Sequence, residues 1–318
     1  MAAALALGAA GFTRSAAAKV PVVLETDIGD DIDDTWALAM LLRSPDLDVK
    51  LVNTTFGRAE YRAKIIAKLL TVARRTDVAV GLGEGGRDGA GGQQAWVKDY
   101  KLTDYPGNIH QDGVGAFIDL VEHSSEPITL IAIGPPNTAA AALKRRPEIA
   151  PKTAFVGMQG SILIGMDGGK PSAEWNVKAN VAAARTVLSA PWRQISITPL
   201  DTCRQVNLSG ERFRTLKQSQ DPLVKAMLYN YLIWAKNIWP DKERLDQIEA
   251  SSPLFDTAAI YLAYPETRPL MELETLSIVV TDDGFTRIDA AGRPMSVAIA
   301  WKDLDGFRDL LLKKLLGR

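Results

Sequence analysis

The chain has 318 residues, with 37 basic against 38 acidic side chains, a formal charge of −1 and a hydrophobic fraction of 47%. That balance gives no general attraction to nucleic acid or anionic membrane, and the apolar fraction is ample for a sizeable core. One cysteine (Cys203) and two histidines (His110 and His123) exclude an intramolecular disulfide framework and argue against a thiolate or histidine-rich metal centre, so any metal should be a hard, oxygen-bound cation.

In chain order, residues 1–18 are apolar and alanine-rich and end in small residues before Lys19, the pattern of a signal peptide or a disordered leader. A periplasmic or secreted location is the expectation, with the cytoplasm as the alternative. No later run approaches the ~20 apolar residues of a membrane span. From Val20 strands and helices alternate: a strand in "VPVVLE", a helix in "DDTWALAMLLRS", a strand in "LDVKLVNTTF", a helix in "AEYRAKIIAKLLTVARR" and a short strand in "DVAVGLG". The same alternation continues through "VGAFIDLVEHS" (helix), "PITLIAI" (strand), "NTAAAALKRRPEI" (helix), "TAFVGM" (strand), "NVAAARTVLSAPW" (helix) and "QISITPL" (strand). Residues 207–263 read as mostly helical, and residues 273–301, with turn signals at Asp283-Gly284 and Ala291-Gly292, read as antiparallel strands before a final helix. The fold class is therefore a single α/β domain over residues 19–318, with a mostly parallel, Rossmann-like central sheet and appended antiparallel strands.

Ligands of open α/β sheets bind beyond the carboxyl ends of the strands. The loops there are "TDIGDDIDD", "FGRAEYR", "GPPNT" and "GMQGS". The first holds Asp27, Asp30, Asp31, Asp33 and Asp34 with no basic residue inside it. Capping of the following helix accounts for one or two of them, at ~0.5–2 kcal/mol. Carboxylates converging on one point stay ionised only if a cation neutralises them, and all-oxygen ligation favours Ca²⁺ or Mg²⁺.

"ETDIGDDIDDTWAL" resembles the signature loop of the nucleoside hydrolases, the inosine–uridine N-ribohydrolase family, in which a strand leads into D-x-D-P-G-x-D-D-A-x-A-L. The resemblance continues in order through "DVAVGLG", "IHQDGVG", "ITLIAIGPPNTAAAAL", "AEWNVKANVAAARTVL" and "LFDTAAIYLAYPE". It implies a divergent member that hydrolyses the N-glycosidic bond of ribonucleosides or a related riboside, in purine and pyrimidine salvage. It further implies one Ca²⁺, a small nucleoside partner rather than nucleic acid or membrane, and a homo-oligomer. By position it implies Asp27 as general base and metal ligand, Asp34, Asp256 and the Asn137 carbonyl as ligands, and Asp31 and Asp33 as further metal candidates. Glu174 and Asn176 match residues that hydrogen-bond the ribose.

The loop is two residues longer than the family pattern. Arg58 and Gly168 stand where ribose-side asparagines are usual, and Phe255 replaces the histidine before Asp256. Leaving-group assistance then falls to His110, to a tyrosine, to stacking, or is not supplied at all. Tyr229 and Trp234, in "MLYNYLIWAKNIWP", are the stacking candidates, against a plain packing role. Arg58 is either a solvent-facing arginine or a grip on a hydroxyl or an anionic substituent. Two other readings compete: a sugar-binding protein that has lost turnover, suggested by Phe255 and Gly168, and an aspartate-nucleophile phosphatase, which would need an acid where Glu25 stands.

Overall fold

The computed structural model describes residues 19–86, 91–242, 244–264 and 269–318. The leader, residues 1–18, lies outside them. β1 (Val20–Thr26), α1 (Asp33–Leu42), β2 (Leu47–Thr54), α2 (Ala59–Val72) and β3 (Ala79–Gly81) open the chain. They are followed by α3 (Gln94–Val97), β4 (Ile109–His110), α4 (Gly113–His123), β5 (Ile128–Ala132), α5 (Asn137–Arg145) and β6 (Thr153–Gly157). Then come α6 (Trp175–Lys178), α7 (Val181–Ser189), β7 (Gln194–Ile197), α8 (Leu200–Cys203), α9 (Gly210–Lys217), α10 (Pro222–Ile238) and α11 (Thr257–Leu262). β8 (Met271–Val280), β9 (Thr286–Ile288), β10 (Arg293–Trp301) and α12 (Leu304–Leu315) close it.

The strands form one ten-stranded sheet in the order β4-β3-β2-β1-β5-β6-β7-β10-β8-β9. β1 to β7 are parallel, β8 to β10 pair antiparallel among themselves, and β10 joins the sheet parallel to β7. The antiparallel strands expected at the C-terminus are thus an extension of the same sheet. Both faces are covered, which is why β1 is apolar at consecutive positions: Val22 and Leu24 face one layer, with α1, α2, α10, α11 and α12, while Val23 faces the other, with α4, α5 and α7. Among the described residues no helix is long and apolar enough to cross a membrane.

The chain winds outward from β1 through β2 and β3 to β4, then returns to place β5 on the other flank of β1. The strand order therefore reverses at β1 and β5. The loops leaving their carboxyl ends diverge there and open a crevice.

Candidate active site

β1 is hydrogen-bonded on both sides, so the residues at its end have little freedom. Glu25 points its carboxylate at the start of α5, accepting from Thr138 N and Ala139 N at 3.0 Å each. Burial pushes it up to about 8. Thr26 donates from Oγ1 to the Asp34 carboxylate and accepts from Ile28 N at 3.1 Å. Asp27 turns into the crevice, pressed against Gly134 after β5. A Cβ at Gly134 would stand 2.5 Å from Asp27 Oδ1, so only glycine leaves the carboxylate where it is.

The loop from Asp27 to α1 is pinned from outside. Gly29 has φ +119°, and a Cβ there would meet the Tyr61 ring at 2.7 Å, which makes glycine necessary on both counts. Tyr61 donates its hydroxyl proton to Gly29 O at 2.9 Å and accepts from Gln93 N. Arg62, 1% exposed, donates to the carbonyls of Phe56, Asp27 and Ile28 and to Asp30 Oδ2. The aspartate loop carries no basic residue in sequence, yet α2 inserts a guanidinium into its centre.

Capping does not account for the aspartates. The N-cap of α1 is Ile32, and no side chain caps the helix. Asp33 and Asp34 occupy its first turn, both buried, and Asp256 lies beside them just before α11. One oxygen from each of these three lies within 4.8 Å of the others. Burial first, and then repulsion from neighbouring carboxylates, Asp27 among them in each case, push all three well above the usual carboxylate range. Asp27 is raised to about 6 by burial, with Arg62 pulling it down. Three buried acids converging without a cation among them are what a divalent ion with oxygen ligands would neutralise, so the donor set fits a metal. Asp31 is exposed, and its Oδ1 accepts from Ile32 N at 2.7 Å.

Opposite, Glu174 is buried and accepts from Gly160 N, Asn176 N and Val177 N, anchoring the start of α6. Burial raises it to about 7 against those three donors. Asn176 gives its Nδ2 protons to Ile133 O and Met158 O at the ends of β5 and β6, so its Oδ1 points away from both carbonyls' bonds and is not used in them. Asp27, Asp30, Asp31, Asp33, Asp34, Glu174 and Asp256, but not Glu25, edge one cavity of about 810 Å³, whose remaining wall includes Arg58, Tyr61, Met158, Trp175, Trp234 and Phe255. Arg58 stacks on Tyr61, 4.2 Å from the ring centroid, and bonds Gln94 Oε1. Trp234 is held by Tyr231 and Trp239, with centroids 5.5 and 5.8 Å away.

The structure brings Asp27, Asp31, Asp33, Asp34, Asp256, Glu174, Asn176, Arg58, Phe255 and Trp234 to this cavity. Tyr229, His110 and Asn137 are not on its wall. Tyr229 is 57% exposed on the outer side of α10, and His110 is exposed on the short edge strand β4. Asn137 starts α5 and accepts from Asn180 Nδ2. Gly168 (φ +84°) lies in the 165–169 turn, also away from the wall, where Met166 and Ser172 take part instead. Sequence reasoning missed Arg62, Tyr61, Trp175 and Lys178. For Arg62 a signal existed: it sits four residues before Ile66, on the apolar stripe of α2, where a charge needs a buried partner.

The sequence model of the inosine-uridine preferring nucleoside hydrolases matches residues 22–306. The pyrimidine-specific ribonucleoside hydrolases RihA of Escherichia coli O7:K1 and of Salmonella newport are each 25% identical, over 93% of this chain and 98% of theirs. Among solved structures, the plant nucleoside hydrolase PpNRh1 superposes with a TM-score of 0.77 at 23% identity, over 93% of this chain and 99% of that one. The purine-preferring ribonucleoside hydrolase of Gardnerella vaginalis gives 0.73 at 20% identity, over 93% and 98%.

Proposed function

Because this chain belongs to the inosine-uridine preferring nucleoside hydrolase family, and is an N-glycosyl hydrolase splitting ribonucleosides into ribose and free base, we propose that Asp27 is its general base. We place one divalent ion on Asp27, Asp33, Asp34 and Asp256. Ca²⁺ suits the site better than Mg²⁺, which prefers one or two carboxylates and keeps several waters. When bound, such an ion polarises a water and grips vicinal hydroxyls.

The chain's own residues do the rest. Asp27, held at the end of β1 and against Gly134, takes the proton of the attacking water. Asn176 Oδ1 accepts from a ribose hydroxyl, its orientation set by the two carbonyls that occupy its Nδ2. Glu174, immobilised by three backbone N–H groups, places negative charge beside the oxocarbenium-like ring that develops as the base departs. Phe255 and Trp234 offer aromatic faces to the base.

The observation that carries this reading is the convergence of Asp33, Asp34 and Asp256 within 4.8 Å at the reversal point of the sheet, with Asp27 on the same cavity. Asp27→Asn keeps a ligating oxygen but cannot accept a proton, so nucleoside turnover should fall by ~10²–10⁴-fold. Elemental analysis of chelator-free protein should find about one calcium per chain, as one four-carboxylate site requires. Near-normal turnover by Asp27→Asn on every nucleoside would rule out the assignment.

A further inference from the structure

A neutral nucleoside loses its base as an anion unless a proton reaches a basic atom of the departing ring, and a positioned donor for that step is worth ~10²–10⁴-fold. Among the described residues the wall's carboxyl groups are committed elsewhere: Asp27 is the base, Asp33, Asp34 and Asp256 face one another around the ion site, both oxygens of Glu174 accept backbone N–H groups, Asp30 pairs with Arg62 and Asp31 accepts from Ile32 N. Both histidines of the chain lie elsewhere: His110 is exposed on β4, and His123 is exposed at the end of α4. Tyr61 gives its hydroxyl proton to Gly29 O. Arg58 and Arg62 carry guanidinium groups, which do not deprotonate. Lys178, exposed at the rim, is the one basic side chain on the wall able to release a proton. Among the described residues, seven acidic side chains on the wall face three basic ones, so even with a divalent ion bound this set stays formally negative. Aromatic faces from Trp175, Trp234 and Phe255 complete it.

We propose that this site is suited to cationic N-ribosides, in which the leaving heterocycle already carries a positive charge, as in a pyridinium or N-alkylpurinium riboside. The inference rests on the hydrolase reading above. In this reaction the C1′–N bond breaks with its electron pair passing to the ring nitrogen, which leaves as a neutral heterocycle and needs no proton. The C1′–O bond forms from water, whose proton goes to the Asp27 carboxylate. The negative wall and the aromatic faces favour a positively charged aglycone by Coulomb attraction and cation–π contact.

The test is kcat/KM of the full chain with calcium on four ribosides: nicotinamide riboside (cationic), uridine and inosine (neutral, poor leaving groups) and 4-nitrophenyl riboside (neutral, good leaving group). Nicotinamide riboside should exceed uridine and inosine by at least ~10²-fold, the lower bound for a missing acid, and should also exceed the nitrophenyl compound. Phe255→His should narrow the gap by raising uridine and inosine. Uridine or inosine within about tenfold of nicotinamide riboside would overturn the proposal, since the acid is worth more than that. So would a nitrophenyl riboside that matches the cation, or uridine turnover that Lys178→Met abolishes, which would make Lys178 the acid. Cleavage of none of the four, with Asp27→Asn indistinguishable from wild type, would instead reject the hydrolase reading itself.

Discussion

Replacing Arg62 with methionine keeps most of the apolar length of the side chain and removes all its donors. Three backbone carbonyls, those of Phe56, Asp27 and Ile28, then lose a charged partner in a place where Arg62 itself is 1% exposed. A stranded buried acceptor costs about 1–3 kcal/mol, so the sum is roughly 3–9 kcal/mol. Water from the adjoining cavity can serve some of these carbonyls, which sets the expectation at the lower end, about 3–5 kcal/mol, in line with breaking other buried charged pairs. The ion pair to Asp30 adds little, because that carboxylate is 47% exposed. With a urea m-value near ~3 kcal/mol/M, the unfolding midpoint should drop by about 1 M or more. The change also acts on Asp27, which Arg62 pulls down against the effect of burial. Without Arg62 the base holds its proton to higher pH, so the acidic limb of kcat/KM should move upward. Arg62→Lys should recover part of the stability but not the three-carbonyl grip. A midpoint within about 0.3 M of wild type, together with an unmoved acidic limb, would refute the reasoning, since that shift corresponds to less than one lost hydrogen bond.

Gly134→Ala drives a methyl toward Asp27 Oδ1, to 2.5 Å if nothing moves. Turnover should fall by about 10²-fold for a displacement near 1 Å, with KM changing less, and steady-state kinetics checks this. In the metal-free protein, Asp27 and Glu174 have folded values of about 6 and about 7, above those of an unfolded chain. The folded state therefore binds the extra protons: their contribution is fully present below pH ~4 and is lost as pH rises through 6 to 7. Tm of chelated protein should fall across that window and recover on adding calcium. A Tm that rises from pH 5 to 8 under chelation would contradict the sign. The apolar leader predicts an exported chain whose mature form begins near Lys19. N-terminal sequencing from the native cell tests it, and an intact Met1 in a cytosolic fraction would count against it.

The βαβ alternation was legible because strands covered on both faces are short, continuous apolar runs, as in "PITLIAI", and amphipathic helices separate them. Less legible was the joining of β10 to β7. That pairing spans about a hundred residues, and nothing local in either strand records it. β4, with two residues, is too short to leave a periodic signature. At the site, the aspartates stood out because an acidic cluster at a strand end has no packing role. Arg62 and Tyr61 did not, since their partners are backbone carbonyls and amides, which no side-chain pattern reveals. Tyr229 and Trp234 share one aromatic-rich stretch, but five residues on a helix turn about 140° past a full circle. Trp234 therefore reaches the cavity while Tyr229 faces solvent.

The converging acids do not ride on the aspartate loop: Asp27 is fixed to the end of β1, Asp33 and Asp34 to the first turn of α1, and Asp256 to the approach to α11. The span between Asp27 and α1 is clamped at its own carbonyls by Tyr61 and Arg62. Only Asp30 and Asp31 are exposed in this span, while Gly29 and the buried Ile28 and Ile32 are fixed by packing, so the junction between the two aspartates is the place where inserted sequence would reshape the mouth of the crevice with least effect on the reacting groups.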